Sequence, residues 1–308
     1  MLDYELIDTG NRQKLERWGK LRIIRPEPLA VWPKTLVSKS WQTQIAAEYQ
    51  ASSAKIGAGH WQFSNPQLAE QPPIITWQPS IDVKTASPIS PQSQSNPVLN
   101  FQLKFMPSRH LGLFPEHAPQ WLFIFDQINI FRTQYPAQEF HLLNLFGFTG
   151  AASLTGALAG AQVTHVDSSY EAISLGRRNQ ELSNLASSPI RWLKDDVSKF
   201  VERELRRRPH FYHGIILDPP AHGHGAKKGE VWHLPTMLPD LIQNLGQLLA
   251  PQAKFLILNT YSDFLPQARI FKPLINLFSE HYSGELILSP TVNPAHTLHL
   301  SRFETFYN

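Results

Sequence analysis

His141-Leu142-Leu143-Asn144-Leu145-Phe146-Gly147-Phe148-Thr149-Gly150 runs directly into Ala151-Ala152-Ser153-Leu154. A short apolar run ends in a glycine-punctuated turn, and an Ala/Leu-rich helical pattern begins at once. Strand, tight turn and helix in that order is how a parallel α/β sheet presents its first ligand-binding loop. Gly147 and Gly150 let the backbone turn sharply and approach a ligand where a Cβ would clash. The dinucleotide fingerprint G-x-G-x-x-G is absent, as is the Gly-Lys-Ser/Thr of a phosphate-cradling loop. The stretch therefore reads as a nucleoside-type loop without phosphate equipment.

Outward from it, the chain alternates. Strands are expected at 141–145, 162–167, 190–193, 214–218 and 254–259, with helices at 151–158, 170–185, 197–207, 234–249 and 264–280. Val197, Phe200, Val201 and Leu205 share one helical face. Alternating βα units imply a mostly parallel sheet with helices on both faces. Two final strands, 285–289 and 297–305, have no helix between them and read as a terminal antiparallel hairpin. The expectation is an α/β fold with seven strands, spanning residues 109–308. Ahead of it, 121–133 carries apolar residues at helical spacing.

Residues 1–108 read as a smaller, mostly β accessory region. Short strands with a turn at Gly10-Asn11 come first, and 40–50 is compatible with one helix. Residues 57–63, 74–77 and 98–106 look like strands, and the Pro/Ser/Gln-rich stretch 82–97 like a flexible loop. Lys14, Arg17, Lys20, Arg22 and Arg25 read as a solvated cationic face, with a phosphate-facing patch as the alternative.

The chain of 308 residues has no cysteine. It cannot supply disulfides, thiolate metal sites or a cysteine nucleophile. The formal net charge of +3 is compatible with a nucleic-acid partner without requiring one. No basic and apolar leader pattern opens the sequence, and the most apolar run, 121–131, is broken by Asp126, Gln127 and Asn129. A cytoplasmic protein with no membrane partner is the expectation.

Ligands of open α/β sheets bind outside the carboxyl ends of the strands. Those ends carry Gly147 and Gly150, then Asp167, Asp195-Asp196, Asp218-Pro219-Pro220 and Asn259-Thr260-Tyr261. Asp167 lies 17 residues after Gly150, near the offset at which a carboxylate binds ribose hydroxyls, and ribose binding is the preferred reading over a helix cap with Ser168 and Ser169. Asp195 or Asp196 could cap the next helix or accept from an adenine amino group, and Asp196 is the choice for adenine. Two prolines in a row hold an extended segment whose carbonyls no helix consumes, with Asp218 beside them to orient or deprotonate an amine or amide. His222 and His224 are spaced too weakly for a metal site, so no metal is expected. The loop 221–230, with Lys227, reads as a mobile lid, and His222, Tyr261 and Phe148 as stacking candidates for a base.

Asn144-Leu145-Phe146-Gly147-Phe148-Thr149-Gly150, Val166-Asp167-Ser168-Ser169, Asp195-Asp196 and Leu217-Asp218-Pro219-Pro220, in that order, resemble the class I S-adenosylmethionine-dependent methyltransferases. The branch is the one that includes large-subunit ribosomal RNA methyltransferases. The resemblance covers about residues 110–305, with Leu113-Phe114-Pro115-Glu116 similar to the segment before the family's sheet. It implies S-adenosylmethionine over the first two strand ends. Asn144, Phe146, Gly147, Phe148, Thr149 and Gly150 would line it, Asp167 and Ser168 would meet the ribose, and Asp195 and Asp196 the adenine. Asp218, Pro219 and Pro220 would face the methyl acceptor. Relatives often have Lys after Asp-Pro-Pro, where Ala221 stands here. Methylation of a nitrogen on an RNA base is the leading expectation. A small-molecule or protein methyltransferase, and a non-catalytic nucleoside- or RNA-binding module, stand as alternatives.

Overall fold

The computed structural model describes residues 1–51, 59–79, 97–224, 231–261 and 268–308. Two compact units emerge. One comprises Met1–Gln78, Val98–Ala118 and Leu286–Leu300, the other Pro79–Pro97, Pro119–Glu285 and Ser301–Asn308. The stretch 82–96 and the lid residues 225–230 lie outside the described residues.

The first unit is built on β1 (Tyr4–Gly10), β2 (Gln13–Trp18), β3 (Leu21–Pro26), β4 (Ile45–Ala51) and β5 (Gly59–Phe63), which lie in that order in one sheet. All neighbours are antiparallel except β3 and β4. The expected helix at 40–50 does not form. A single turn, α1 (Ser38–Gln42), ends where Gln44 takes a left-handed φ of 54°, and the chain continues as β4. Pairing on both sides outweighs the helical preference of Ala46 and Ala47. A short helix, α2 (Gln67–Glu70), precedes the two-stranded pair β6 (Ile74–Trp77) and β7 (Leu99–Gln102).

Two of the cations in this unit are neither solvated nor free for phosphate. Arg25 is buried and grips Glu16 with Nε at 2.5 Å and Nη2 at 2.7 Å. Lys14, also buried, pairs with Glu27 at 3.1 Å. Burial pushes the Glu16 carboxyl up, but the charges of Arg25 and Lys14 outweigh it, so the group sits below the usual glutamate range. Arg17 pairs with Asp3 and Glu5, and Arg22 donates to the Ser40 carbonyl.

The second unit carries the parallel sheet, apart from Leu286–Leu288 and Leu298–Leu300 of its last two strands, which fall in the first unit. Its strands are β8 (His141–Leu145), β9 (Gln162–Asp167), β10 (Ile190–Lys194), β11 (Gly214–Leu217), β14 (Phe255–Thr260), β15 (Glu280–Leu288) and β16 (Leu298–Tyr307). A hairpin of β12 (His222–His224) and β13 (Val231–His233) stands apart from them. The sheet order is β10-β9-β8-β11-β14-β16-β15, with β16 antiparallel to β14. This is the expected seven-stranded α/β architecture.

Between the strands run α3 (Ala118–Gln134), α4 (Ala151–Leu158), α5 (Tyr170–Leu182), α6 (Val197–Arg207) and α7 (Leu234–Leu248). The β11 residues Gly-Ile-Ile-Leu are all buried, as are all six of β14, because helices cover both faces. Ile124, Ile128 and Phe131 of α3 pack with Leu142 and Ile257 on one side, and Phe200, Leu238 and Leu245 of α6 and α7 with Leu143 and Leu258 on the other.

The helix expected at 264–280 is replaced, in its described part, by a 3₁₀ turn at Ala268–Phe271, the single turn α8 (Lys272–Ile275), and a strand starting at Glu280. His281 stacks on Phe306 at 4.1 Å and reaches Glu304 at 2.7 Å. Those contacts hold 280–284 in the sheet.

Candidate active site

Register builds the site. Leu145 of β8 lies opposite Val166 of β9 on one side and Leu217 of β11 on the other, and Leu217 lies opposite Leu258 of β14. The next residues along, Phe146, Asp167, Asp218 and Asn259, therefore form one row along the carboxyl edge. The chain leaves β8 in both directions, so this row straddles the topological switch point, where open α/β sheets take their ligands.

The turn after β8 is wound tightly. Phe146 and Phe148 both hold left-handed φ, 55° and 49°, and Gly150 follows at 81°. Non-glycine residues adopt this conformation at a cost, and they persist in it only where surroundings over-determine them. Gly150 N–H closes on the Gly147 carbonyl at 2.9 Å, and Gly147 N–H reaches the Val166 carbonyl at 3.2 Å.

The glycines answer to the protein's own interior. A Cβ on Gly147 would lie 2.5 Å from the His165 ring, and one on Gly150 2.5 Å from the Trp192 ring. Beneath the turn, Asn144 donates to Ser153 Oγ at 2.9 Å, and Ser153 Oγ lies 2.9 Å from His165 Nδ1. All three are buried, and burial holds His165 neutral, its pKa pushed down to about 3. Trp192 continues the layer, packing on His165 and donating to Gln180 at 2.8 Å. Asn144 and Thr149 are thus turned inward, whereas Phe146, Gly147 and Phe148 are half-buried at the edge.

Asp167 is held by both oxygens. Phe148 N–H donates to Oδ2 at 2.8 Å and Ser169 N–H to Oδ1 at 2.7 Å. An ionised carboxylate offers about four acceptor sites, so on this half-exposed residue capacity remains for a further donor. Burial pushes the Asp167 carboxyl up, backbone N–H groups of Ser169, Phe148 and Ser168 oppose this, and the Asp218 charge adds to the rise, so the two carboxylates feel each other. Helix α5 takes its cap from Ser169, whose Oγ accepts from Ala172 N–H, rather than from Asp167. Ser168 is exposed beside it.

Asp195 pairs with Arg203 and accepts from Asp196 N–H at 2.9 Å. Asp196 is the N-cap of α6, accepting from Lys199 N–H at 3.0 Å. Asp218 is half-exposed, with Tyr261 Oη at 3.4 Å from Oδ2. Pro219 is buried and Pro220 exposed. The Pro220 carbonyl is occupied, accepting from the Trp232 indole N–H at 2.7 Å. The side chain of His222 and the whole of Lys227 lie outside the described residues. Among the described residues, no group of three or more His, Asp or Glu comes together as a metal site, and no helix is long and apolar enough to cross a membrane.

No motif singles out Trp192, Ser153, His165 or Trp232. Their hydrogen-bond partners lie 9 or 12 residues away on other elements, beyond any helical or strand period, and only a His on a strand buried on both faces hints at an inner network.

A doubly wound sheet whose first turn has no phosphate loop, with a carboxylate at each neighbouring strand end, defines a nucleoside-binding α/β protein of the methyltransferase type. Over 99% of its length the chain matches the crystal structure of a SAM-dependent methyltransferase from Agrobacterium tumefaciens, at 33% identity, 90% coverage of that chain and a TM-score of 0.80. The chain belongs to the S-adenosylmethionine-dependent methyltransferases. No family model matches it. It is 26% identical over 180 residues to ribosomal RNA large subunit methyltransferase K/L of Pseudoalteromonas translucida, covering 58% of this chain and 24% of that protein. It is 38% identical over 80 residues to ribosomal RNA large subunit methyltransferase I of Escherichia coli, covering 26% of this chain and 20% of that one. The chain thus spans about a quarter or less of the curated relatives it matches.

Proposed function

We propose that this methyltransferase modifies a nitrogen on a base of large-subunit ribosomal RNA, in the cytoplasm, with residues 109–308 as its methyltransferase domain. The observation that carries the reading is the single row of Phe146, Asp167 and Asp218 across the β8–β11 switch point. It sets a nucleoside-type turn beside a second carboxylate.

The residues fit S-adenosylmethionine. The remaining acceptor capacity of Asp167 suits ribose hydroxyls, and the half-buried Phe146–Phe148 edge suits an adenosine moiety with no phosphate to neutralise. Asp196, with one oxygen engaged as a cap, is read as the acceptor for the adenine amino group, and Asp195 as its support. When bound, the cofactor supplies a methyl group on a sulfonium sulfur, already a good electrophile.

The protein's task is then alignment. Asp218 accepts an acceptor N–H, turns the nitrogen lone pair toward the methyl, and takes up the proton as the N–C bond forms and the S–C bond breaks to leave a thioether. The Pro219 carbonyl accepts a second N–H. Tyr261 stands beside Asp218 at the exposed rim, where an unstacked base would enter. With no cysteine, the chain cannot supply the thiolate that attack through a cytosine C5 carbon requires.

The test is incubation of labelled S-adenosylmethionine with RNA from a strain lacking the gene, followed by mapping of the labelled nucleotide. Label on a base nitrogen is expected. Label confined to protein or metabolites overturns the RNA assignment in favour of the second reading, a small-molecule or protein acceptor, which the mild net charge and Ala221 after Asp-Pro-Pro favour.

A further inference from the structure

We infer that Trp232 is a positioning residue that ties the turn after β8 to the Asp-Pro-Pro segment and sets the distance between methyl donor and acceptor. The inference rests on the cofactor and acceptor roles proposed above for these two segments.

The segment after β11 is hard to anchor. Asp218 N–H reaches the Leu145 carbonyl at 3.3 Å, but Pro219 and Pro220 have no N–H to donate. Through these two residues the backbone can only accept hydrogen bonds. Among the described residues, one short stretch supplies two donors here: the Trp232 indole N–H to the Pro220 carbonyl at 2.7 Å, and Leu234 N–H to the Ala221 carbonyl at 3.2 Å. Hairpin pairing of Gly223 with Trp232 brings the indole into place. A Cβ on Gly223 would come within 3.1 Å of Pro220, so that side of the clamp is close-packed too.

The same indole has a second contact. Its ring lies 4.8 Å from Phe146, at 58° between planes. Phe146 is one of the two left-handed phenylalanines of the turn, a conformation that needs support from outside. Trp232 is only 6% exposed, so one rigid two-ring group reaches both segments with little freedom. Methyl transfer depends on alignment, and a misplacement of about 1 Å can cost about 100-fold in rate.

Two variants separate the contacts. Trp232→Phe keeps a ring against Phe146 and removes the donor to Pro220. It should leave the S-adenosylhomocysteine Kd within about threefold while kcat on the acceptor found by the labelling assay falls by about tenfold or more. Trp232→Leu should weaken S-adenosylhomocysteine binding as well. An acceptor-free readout accompanies them. The indole N–H resonance missing from ¹⁵N spectra of Trp232→Phe belongs to Trp232, and it should shift when the wild type is saturated with S-adenosylhomocysteine. An unmoved resonance under saturating ligand, or wild-type turnover in Trp232→Phe, overturns the inference. Failure of every RNA as acceptor overturns the RNA reading instead, and the indole resonance still decides the role of Trp232.

Discussion

Asp167 and Asp218 flank Phe146 in one row, one on either side of β8, yet are equipped differently. Asp167 is fastened by two backbone N–H groups, whereas Asp218 stands at the rim against Tyr261. Asp167→Ala is therefore expected to lose S-adenosylhomocysteine affinity, and Asp218→Ala to lose turnover with affinity nearly intact. Calorimetric titration alongside the methylation assay checks both, and the reverse pattern would exchange the roles. The Asp167 carboxyl, raised chiefly by burial, adds a pH signature. A ribose hydroxyl donates to the charged form, so affinity should fall as pH drops through a value above the ordinary aspartate range. Asp167→Asn should bind weakly and lose that pH dependence.

At the scale of elements, the turn into α4 is the strained part. Gly150 combines a φ of 81° with the Trp192 ring pressed against its inner side. Gly150→Ala adds a left-handed penalty to overpacking, together about 3 kcal/mol of destabilisation, to be read as a shifted urea midpoint at constant slope. The strand pair β2–β3 supplies the second case. Arg25 sits opposite Lys14 in the register, and Glu16 compensates both while itself fully buried. Glu16→Gln leaves those cations short of a counter-charge and should cost about 3 kcal/mol or more in the same measurement. If Glu16→Gln unfolds at the wild-type midpoint, the buried pair contributes nothing net.

Over the whole molecule, buried titratable groups set the response to acid. Burial is the largest cause in holding His165 down to about 3 and His110 and His213 down to about 4. A histidine depressed in the folded state binds fewer protons there than in the unfolded chain. Its stabilisation is present above about pH 6.5 and is lost as pH falls toward those values. Glu16, held low by Arg25 and Lys14, acts in the same direction, and Asp167 and Asp126, both raised by burial, oppose it. The melting temperature is expected to decline steadily on acidification below about pH 6.5. His165→Gln should flatten part of that decline, and a pH-independent Tm would contradict it.

Much of the sheet is legible because its signals are local. The run from His141 to Gly150 announces strand and turn by itself, and Asp218-Pro219-Pro220 stiffens whatever surrounds it. The expected helices at 40–50 and 264–280 fail for a shared reason. Their residues were claimed by strand partners, β3 and β5 in one case and Phe306 and Glu304 in the other, that no local window contains. Asp196 shows the limit at a single site. Its position before α6 is equally that of a helix cap, and the cap is what its side chain makes.

By itself the sequence determined the order of βα units, the turn without phosphate equipment, the carboxylates at successive strand ends and the absence of a thiol, because each follows from covalent structure and nearest-neighbour periodicity. Only the tertiary structure decided which of those groups share a row, that Gly147 and Gly150 are held by His165 and Trp192 from within, and that Trp232 closes on Pro220. Those are contacts between residues far apart in the chain, and burial and register, which the fold alone sets, determine them.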